Sequence, residues 1–368
     1  MNVKPEVMDE LERIGFMLRE LYQDQGFARY RMSKFEEYDL YANNKDFLAS
    51  ERIITFTDIS GKLMALKPDI TLSIVKSTTA PRKVYYNEMV YRAKDHHYRE
   101  IPQAGVECIG SVDAYLEAEV IALAANALET IDKNYILRIS DAGFLKALLE
   151  DQKIDEQYQA FILDAMDHKN ADYLRALEQE GVLNRQLCST LINLIDLYLP
   201  LSQGVKAVKK LVRTPACVQM MDHLQEIAGI LKGFEVEDRI FLDFSLVNSM
   251  DYYNGIVFQG ALSGIPFTVL SGGRYDRLPQ KMGKSFGAVG FAVYMDIVEN
   301  RRHSRKTFDG DILIRYQAKD KAVQVARIVQ TLRRQGKTVR AISEGADWDS
   351  SRWRKVLSVK EAGKEAGL

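Results

Sequence analysis

The sequence predicts an α+β fold in which an antiparallel sheet is flanked by helices. Three observations support this prediction. Short β-branched and aromatic runs, such as Val84-Tyr85-Tyr86, recur on both sides of a long helical stretch. That stretch, from Phe144 to about Phe234, has little strand signal and reads as an insertion. A last strand–helix–strand pattern follows a charged linker near residue 300. The predicted domains are a core of residues 1–143 and 235–300, a helical insertion of residues 144–234, and a small, truncated α/β domain of residues 307–368.

The first helix is indicated by apolar residues at three- and four-residue steps, including Val7, Leu11 and Leu18. Pro5 suits its first turn and Gly26 follows its end. Further helices are predicted at residues 70–77, 113–131, 157–166, 171–180, 185–198, 215–231, 293–299 and 320–335. Strands are predicted at residues 53–56, 63–66, 135–139, 239–247, 252–259, 266–270, 286–292, 311–316 and 339–342.

Composition excludes several classes of function. The 368 residues are 46% hydrophobic and 27% charged, with a net charge of -1, so broad nucleic-acid backbone binding is not expected. Three widely spaced cysteines indicate a reduced chain and no zinc site. No apolar run approaches the length that spans a membrane, and a cytoplasmic location is the expectation.

The most informative stretch runs from Val84 to Gly110 and predicts two strands joined by a charged loop. Arg92 stands where the first strand ends, and Glu107 lies inside an apolar return strand. A buried carboxylate is costly without a partner. Glu107 therefore either pairs with Arg92 or Arg99 in a structural network or receives a ligand.

Four ordered motifs resemble the class II aminoacyl-tRNA synthetase core, and the histidyl-tRNA synthetase family in particular. They are Ala65-Leu-Lys-Pro-Asp-Ile-Thr71, Tyr91-Arg92 with Gln103-Ala-Gly-Val-Glu107, Met250-Asp-Tyr-Tyr-Asn-Gly255, and Ser271-Gly-Gly-Arg-Tyr-Asp276 with Gly287-Ala-Val-Gly-Phe-Ala292. The resemblance implies a class II synthetase-like sheet and a pocket for histidine. It implies that Asp69, Thr71 and Gln103 receive the α-ammonium, that Glu107 and Tyr253 bind the imidazole nitrogens, and that Tyr275 closes the pocket. Arg92 and Tyr252 complete the implied set of ligand-binding residues.

The sequence departs from the synthetase pattern where a nucleotide would bind. Asn248 and Ile297 stand where the synthetase has arginines that contact the reacting phosphate and the ATP tail, and Lys94 replaces an acid expected near adenine. Ser33 replaces the proline of the first class motif. Removing one donor aimed at a developing charge typically costs about 10²–10³ in rate. We therefore expect no catalytic residues, metal or cofactor in this chain.

A synthetase-like body that lacks the activating arginines resembles the regulatory subunits of ATP phosphoribosyltransferase, which are histidyl-tRNA synthetase paralogues. The resemblance implies a non-catalytic role in the first step of histidine biosynthesis. The expected partners are a short-form catalytic subunit, histidine as effector and a second copy of the chain, without tRNA. The alternatives are a divergent active synthetase and a free-standing amino-acid sensor.

Several of these residues also have plain structural interpretations. Asp69 is well placed to cap the helix that follows it. Tyr252 and Tyr253 could serve only in packing. Gly272 and Gly273 could bind phosphate, but close backbone packing is the simpler explanation.

Overall fold

The structure is a computed structural model that describes residues 8–47, 53–94, 97–246, 253–299, 308–346 and 351–368. The chain forms two compact units, residues 1–301 and residues 302–368. The sequence predictions for Pro5, Val7, Asn248 and Tyr252 fall outside the described residues.

The first unit contains a large sheet, a small sheet and helices that cover them. Its helices are α1 (Glu10–Asp24), α2 (Tyr38–Ala42), α3 (Thr71–Ser77), α4 (Ala114–Ile131), α5 (Phe144–Asp151), α6 (Glu156–Asp167), α7 (Ala171–Gln179), α8 (Arg185–Asp196), α9 (Leu201–Leu211), α10 (Pro215–Gly233), α11 (Arg277–Lys281) and α12 (Met295–Glu299). Its strands are β1 (Ala28–Arg29), β2 (Phe35–Glu37), β3 (Thr55–Thr57), β4 (Leu63–Leu66), β5 (Arg82–Lys94), β6 (His97–Gly110), β7 (Tyr135–Asp141), β8 (Leu199–Pro200), β9 (Ile240–Leu242), β10 (Ile256–Leu262), β11 (Leu270–Arg274) and β12 (Gly287–Tyr294).

The large sheet has nine strands in the order β1-β5-β6-β12-β11-β10-β7-β9-β8. Its neighbours are antiparallel except for the parallel pairs β1–β5 and β7–β9. A smaller antiparallel sheet has the order β2-β4-β3. The predicted α+β fold class, with a mainly antiparallel sheet flanked by helices, is confirmed.

The two faces of the large sheet pack against different layers. One face joins a large core with α1, α4 and α10, in which the buried side chains of α4 include Ala118, Ala122 and Ala125. These small residues let α4 approach the strands and α10 closely. Asp113 caps α4 by accepting a hydrogen bond from the Leu116 amide at 2.8 Å. The opposite face packs against α3, and this second face carries the predicted pocket.

Several predicted boundaries are wrong. The strand predicted at residues 266–270 lies at Leu270–Arg274, so Gly272 and Gly273 belong to a strand and not to a phosphate loop. The strand predicted at residues 252–259 begins at Ile256, and the one predicted at residues 239–247 covers only Ile240–Leu242. The helix predicted from Val293 begins at Met295, because β12 continues to Tyr294.

The second unit is a small parallel α/β fold. It consists of β13 (Gly310–Tyr316), α13 (Ala322–Arg334), β14 (Val339–Ser343), β15 (Trp353–Ser358) and α14 (Val359–Ala366), with the strand order β14-β13-β15. The sequence missed β15 and α14 because both are rich in charge. A capping box between Ser358 and Glu361 starts α14. In both units, none of the helices within the described residues is long and apolar enough to cross a membrane.

Candidate functional site

Glu107 is the centre of the candidate site. It lies in β6, in the middle of the large sheet, and its side chain is 2% exposed. The Thr71 hydroxyl donates a hydrogen bond to its Oε1 at 2.6 Å, and the Tyr275 hydroxyl donates one to its Oε2. Thr71 is the first residue of α3, which packs on the sheet, and Tyr275 directly follows β11. The predicted alternative, an ion pair of Glu107 with Arg92 or Arg99, is therefore wrong.

The environment of Glu107 changes its protonation. Burial raises the pKa of its carboxyl group from 4.5 to about 8, although the hydroxyls of Thr71 and Tyr275 oppose that increase. The nearby charge of Asp69 adds a smaller increase to the pKa. A buried carboxyl group that titrates near neutral pH is typical of a site that meets a ligand.

Three glycines lie in the strands next to this carboxyl group. Gly290 in β12 pairs with Glu107, and a Cβ at Gly290 would lie 1.9 Å from Glu107 Oε2. A Cβ at Gly273 would lie 2.7 Å from Cδ1 of Tyr253. A Cβ at Gly105 would lie 2.6 Å from the Tyr86 hydroxyl oxygen. We call Gly105, Gly273 and Gly290 the glycine floor, because neighbouring side chains occupy the space that a Cβ would need at each position.

The segment before α3 supplies the next group. Asp69 accepts a hydrogen bond from the Leu72 amide at 2.8 Å, which confirms its predicted role in starting the helix. Burial raises the pKa of the Asp69 carboxyl group, while the Leu72 amide, the Arg92 charge and the Thr71 amide oppose that increase. Arg92 lies in β5 and donates from Nε to the Pro68 carbonyl at 3.0 Å. This bond ties the guanidinium to the Pro68–Asp69 backbone.

The remaining predicted residues line the same face. Gln103 is 5% exposed and lies two and four residues from Gly105 and Glu107, so all three share one face of β6. Tyr253 packs against the core of this face, and burial raises the pKa of its phenol. The structure therefore brings Asp69, Thr71, Arg92, Gln103, Glu107, Tyr253 and Tyr275 together around one region; that they bind a ligand remains a prediction.

The sequence reasoning missed Tyr294. Because it ends β12 opposite Gln103, its side chain lies on the pocket face, where burial raises the pKa of its phenol. The apolar run of residues 286–292 could have been extended by two residues of the same alternation. The start of the predicted helix at Val293 hid this signal.

The residues that differ from the synthetase pattern lie in separate parts of the structure. Ile297 in α12 packs against the large core, and exposed Ser33 accepts a hydrogen bond from the Phe35 amide at 3.0 Å. Lys94 is the last residue of β5. Among the described residues, no cluster of histidine, cysteine, aspartate and glutamate is arranged to hold a metal ion.

The sheet and the covered pocket define a class II aminoacyl-tRNA synthetase-like protein. A structure of an ATP phosphoribosyltransferase regulatory subunit/histidyl-tRNA synthetase from Bacillus halodurans C matches 97% of this chain and 96% of its own, with a TM-score of 0.77 and 23% identity. The ATP phosphoribosyl transferase (HisG:HisZ) complex from Thermotoga maritima contains a chain that matches 78% of this chain and 98% of its own, with a TM-score of 0.62 and 18% identity.

The particular family follows from the sequence comparison. The family model described as histidyl-tRNA synthetase matches residues 1–298, so the chain belongs to the histidyl-tRNA synthetase family. The ATP phosphoribosyltransferase regulatory subunit of Acetivibrio thermocellus is 27% identical over 350 residues, which cover 91% of this chain and 83% of that protein.

Proposed function

We propose that this chain is a non-catalytic regulatory subunit of ATP phosphoribosyltransferase that binds histidine on the glycine floor. It would signal the presence of histidine to a short-form catalytic subunit. The observation that carries the proposal is Glu107, a buried carboxyl group that accepts hydrogen bonds from two hydroxyl groups and lies beside the glycine floor. The names of the curated relatives support the regulatory role.

Histidine suits the chemistry of this region. An imidazole has one nitrogen at each edge of a flat ring, so a carboxyl group and a phenol placed opposite each other can bind both. Glu107 would bind one nitrogen and the Tyr253 phenol the other. The Asp69 carboxylate, the Thr71 hydroxyl and the Gln103 side chain would receive the α-ammonium. Arg92 would then face the α-carboxylate.

The same chain is poorly equipped for amino-acid activation. ATP brings about four negative charges, and each charge-assisted hydrogen bond to it contributes about 1.5–3 kcal/mol. Ile297 offers no donor and packs against the large core, while Asn248 can offer only a neutral one. This loss supports a protein that binds the amino acid but does not react with it.

Regulation requires that histidine prefers one state of the complex. If histidine binds more tightly to a less active state, it shifts the complex towards that state, and substrate must weaken histidine binding by the same factor. The Thermotoga maritima complex supports assembly with a catalytic subunit. The proposal includes a second copy of the chain and places the complex in the cytoplasm, where its three free, buried cysteines would stay reduced.

The test is histidine inhibition of the reconstituted complex. Glu107→Ala should raise the histidine concentration needed for half inhibition at least about tenfold, because the ring loses a buried hydrogen-bond partner. Glu100→Ala is the matched control, since Glu100 is an exposed glutamate in the same strand. Unchanged inhibition in Glu107→Ala would remove the pocket from the mechanism.

The first competing function is that of an active synthetase, which the family match allows. Histidine-dependent exchange of pyrophosphate into ATP by the purified chain would establish it and refute the regulatory proposal. Purification from the native cell addresses the third possibility, a sensor with another partner: the catalytic subunit should co-purify with this chain.

A further inference from the structure

Arg274 and Tyr275 are consecutive residues whose side chains reach opposite faces of the large sheet. Arg274 ends β11, and its Nη1 donates a hydrogen bond to Oε1 of Glu117 in α4 at 3.4 Å. The Tyr275 hydroxyl donates to Oε2 of Glu107 on the other face. Successive side chains of a strand alternate between the two faces, and these contacts show that the alternation continues past the end of β11. A residue fixed behind the sheet therefore determines where its neighbour lies in front of it.

A set of hydrogen bonds around Tyr275 holds Arg274 to β12. The Arg274 Nε donates to Oδ2 of Asp276 at 2.8 Å. The other oxygen of Asp276 accepts from the Ala288 amide at 3.0 Å, and the Ala288 carbonyl accepts from the Tyr275 amide at 2.8 Å. The guanidinium, the Asp276 carboxylate and β12 thus enclose the backbone of Tyr275 from both sides.

The segment that carries Tyr253 also rests on Arg274. The Arg274 carbonyl accepts a hydrogen bond from the Asn254 amide at 2.9 Å. A Cβ at Gly255 would lie 3.2 Å from Cδ of Arg274, so the stem of the arginine packs on that glycine. The Tyr253 ring lies over Gly273, the residue before Arg274. Both tyrosines of the candidate site are therefore placed through the same residue of β11.

Glu117 is the anchor of this arrangement. Its side chain is 1% exposed, and each carboxylate oxygen has one partner. Oε1 accepts from Arg274, and Oε2 lies 2.5 Å from Nε2 of His223 in α10. A buried carboxylate is costly when a partner is removed, so Glu117 resists any movement of the guanidinium away from α4.

We infer that Arg274, anchored by Glu117, is a positioning residue that sets the places of Tyr253 and Tyr275 in the candidate site. This inference rests on the proposed histidine site and adds the residue behind the sheet that supports it. Arg274 acts without touching histidine, because its guanidinium binds Glu117 on the face that α4 covers.

Arg138 in β7 provides a matched control for Arg274. Both side chains are 27% exposed, and each contacts a buried carboxylate, at 3.4 Å for Arg274 and at 3.3 Å for Arg138. The partner of Arg138 is Asp243, and each of the two carboxylates keeps a second basic partner when its arginine is removed. β10 separates the two strands. Replacing either arginine by methionine removes one ion pair of similar geometry and keeps the apolar stem.

Calorimetry of the full chain with L-histidine gives the first readout. Arg274→Met should weaken histidine binding at least about tenfold, because both tyrosines lose their support and their hydrogen bonds to the ligand are misplaced. Arg138→Met should change the dissociation constant less than about threefold, although it should destabilise the fold to a similar extent. Glu117→Gln keeps the shape of the anchor and removes its charge. It should also weaken histidine binding, and it replaces Arg274→Met if that protein does not fold.

The second readout needs no ligand. The Tyr275 hydroxyl lowers the pKa of Glu107, so Tyr275→Phe should raise that pKa by about 1. Arg274→Met should raise it as well, because Tyr275 is no longer held against Glu107, whereas Arg138→Met should leave it unchanged. Infrared spectroscopy measures this pKa as the pH at which the band of the protonated carboxyl group disappears. The band is assigned to Glu107 by its absence in Glu107→Gln.

Three results would overturn the inference. They are natural histidine affinity in Arg274→Met, an equal loss of affinity in Arg138→Met, and an unchanged Glu107 titration in Arg274→Met. Failure of the proposed function looks different, because the natural protein would then bind no histidine while the infrared titration still responded to Arg274→Met. If histidine binds and Glu107→Ala loses it, while Arg274→Met behaves like Arg138→Met, only the inference about Arg274 fails.

Discussion

Replacing Glu107 by glutamine should remove a large pH dependence of folding stability. The pKa of this carboxyl group is about 8 in the folded protein, against an ordinary value of 4.5. Between these two pH values the folded state keeps a proton that the unfolded state has released. The stabilisation is fully present below pH 4.5 and is lost as pH rises through 8. Glu107 is almost fully buried. The difference between its two pKa values corresponds to a loss of about 4 kcal/mol in the free energy of unfolding between pH 5 and pH 9.

The assay is urea unfolding of the full chain at pH 5, 7 and 9, followed by far-ultraviolet circular dichroism. Tryptophan fluorescence would report on the wrong unit, because Trp348 and Trp353 both lie in the second unit. The natural protein should lose about 4 kcal/mol more than Glu107→Gln over this range. Glu100→Gln, an exposed substitution in the same strand, should follow the natural protein. Parallel pH curves for the natural protein and Glu107→Gln would refute the assignment of a protonated carboxyl group to this site.

Two further predictions concern the glycine floor and the layer behind the sheet. Gly290→Ala should weaken histidine binding at least about tenfold by calorimetry, since its Cβ would lie 1.9 Å from Glu107 Oε2 and overpacking typically costs about 1–3 kcal/mol. Gly229→Ala in α10, where a Cβ meets nothing within 4 Å, is the control and should leave binding unchanged. A 2.5 Å hydrogen bond to Glu117 raises the pKa of His223, and the stabilisation that results is lost as pH rises through that raised pKa. His223→Gln should therefore make the folding stability less dependent on pH. Thermal unfolding at pH 6 and pH 8 checks this, and an equal fall in both proteins would contradict it.

Local sequence patterns identified two residues of the candidate site correctly. Glu107 stood out because a carboxylate in an apolar strand needs a partner, and Asp69 because it precedes a helix. The predicted close backbone packing at Gly272 and Gly273 is confirmed, but the sequence placed the end of the strand before them, at residue 270. A Cβ at Gly272 would lie 2.5 Å from the Gly290 carbonyl oxygen, so these glycines are required inside the strand and do not interrupt it. Only the packing of neighbouring strands creates that requirement.

Tertiary structure also decides which residues donate hydrogen bonds to Glu107. Sequence distance pointed to Arg92 and Arg99, which pair with each other across the β5–β6 hairpin. The actual donors, Thr71 and Tyr275, are 36 and 168 residues away along the chain. No local pattern can predict a contact of that separation.

The sequence by itself determined the fold class, because alternation and helical periodicity are local properties, and it singled out Glu107 as a polar residue in an apolar strand. The resemblance to the histidyl-tRNA synthetase family supplied the other main residues of the candidate site. Tertiary structure decided which of these residues touch, how far the pKa of Glu107 rises, and that Tyr294 faces the pocket. These features depend on burial and on strand register, which arise only when distant segments pack together.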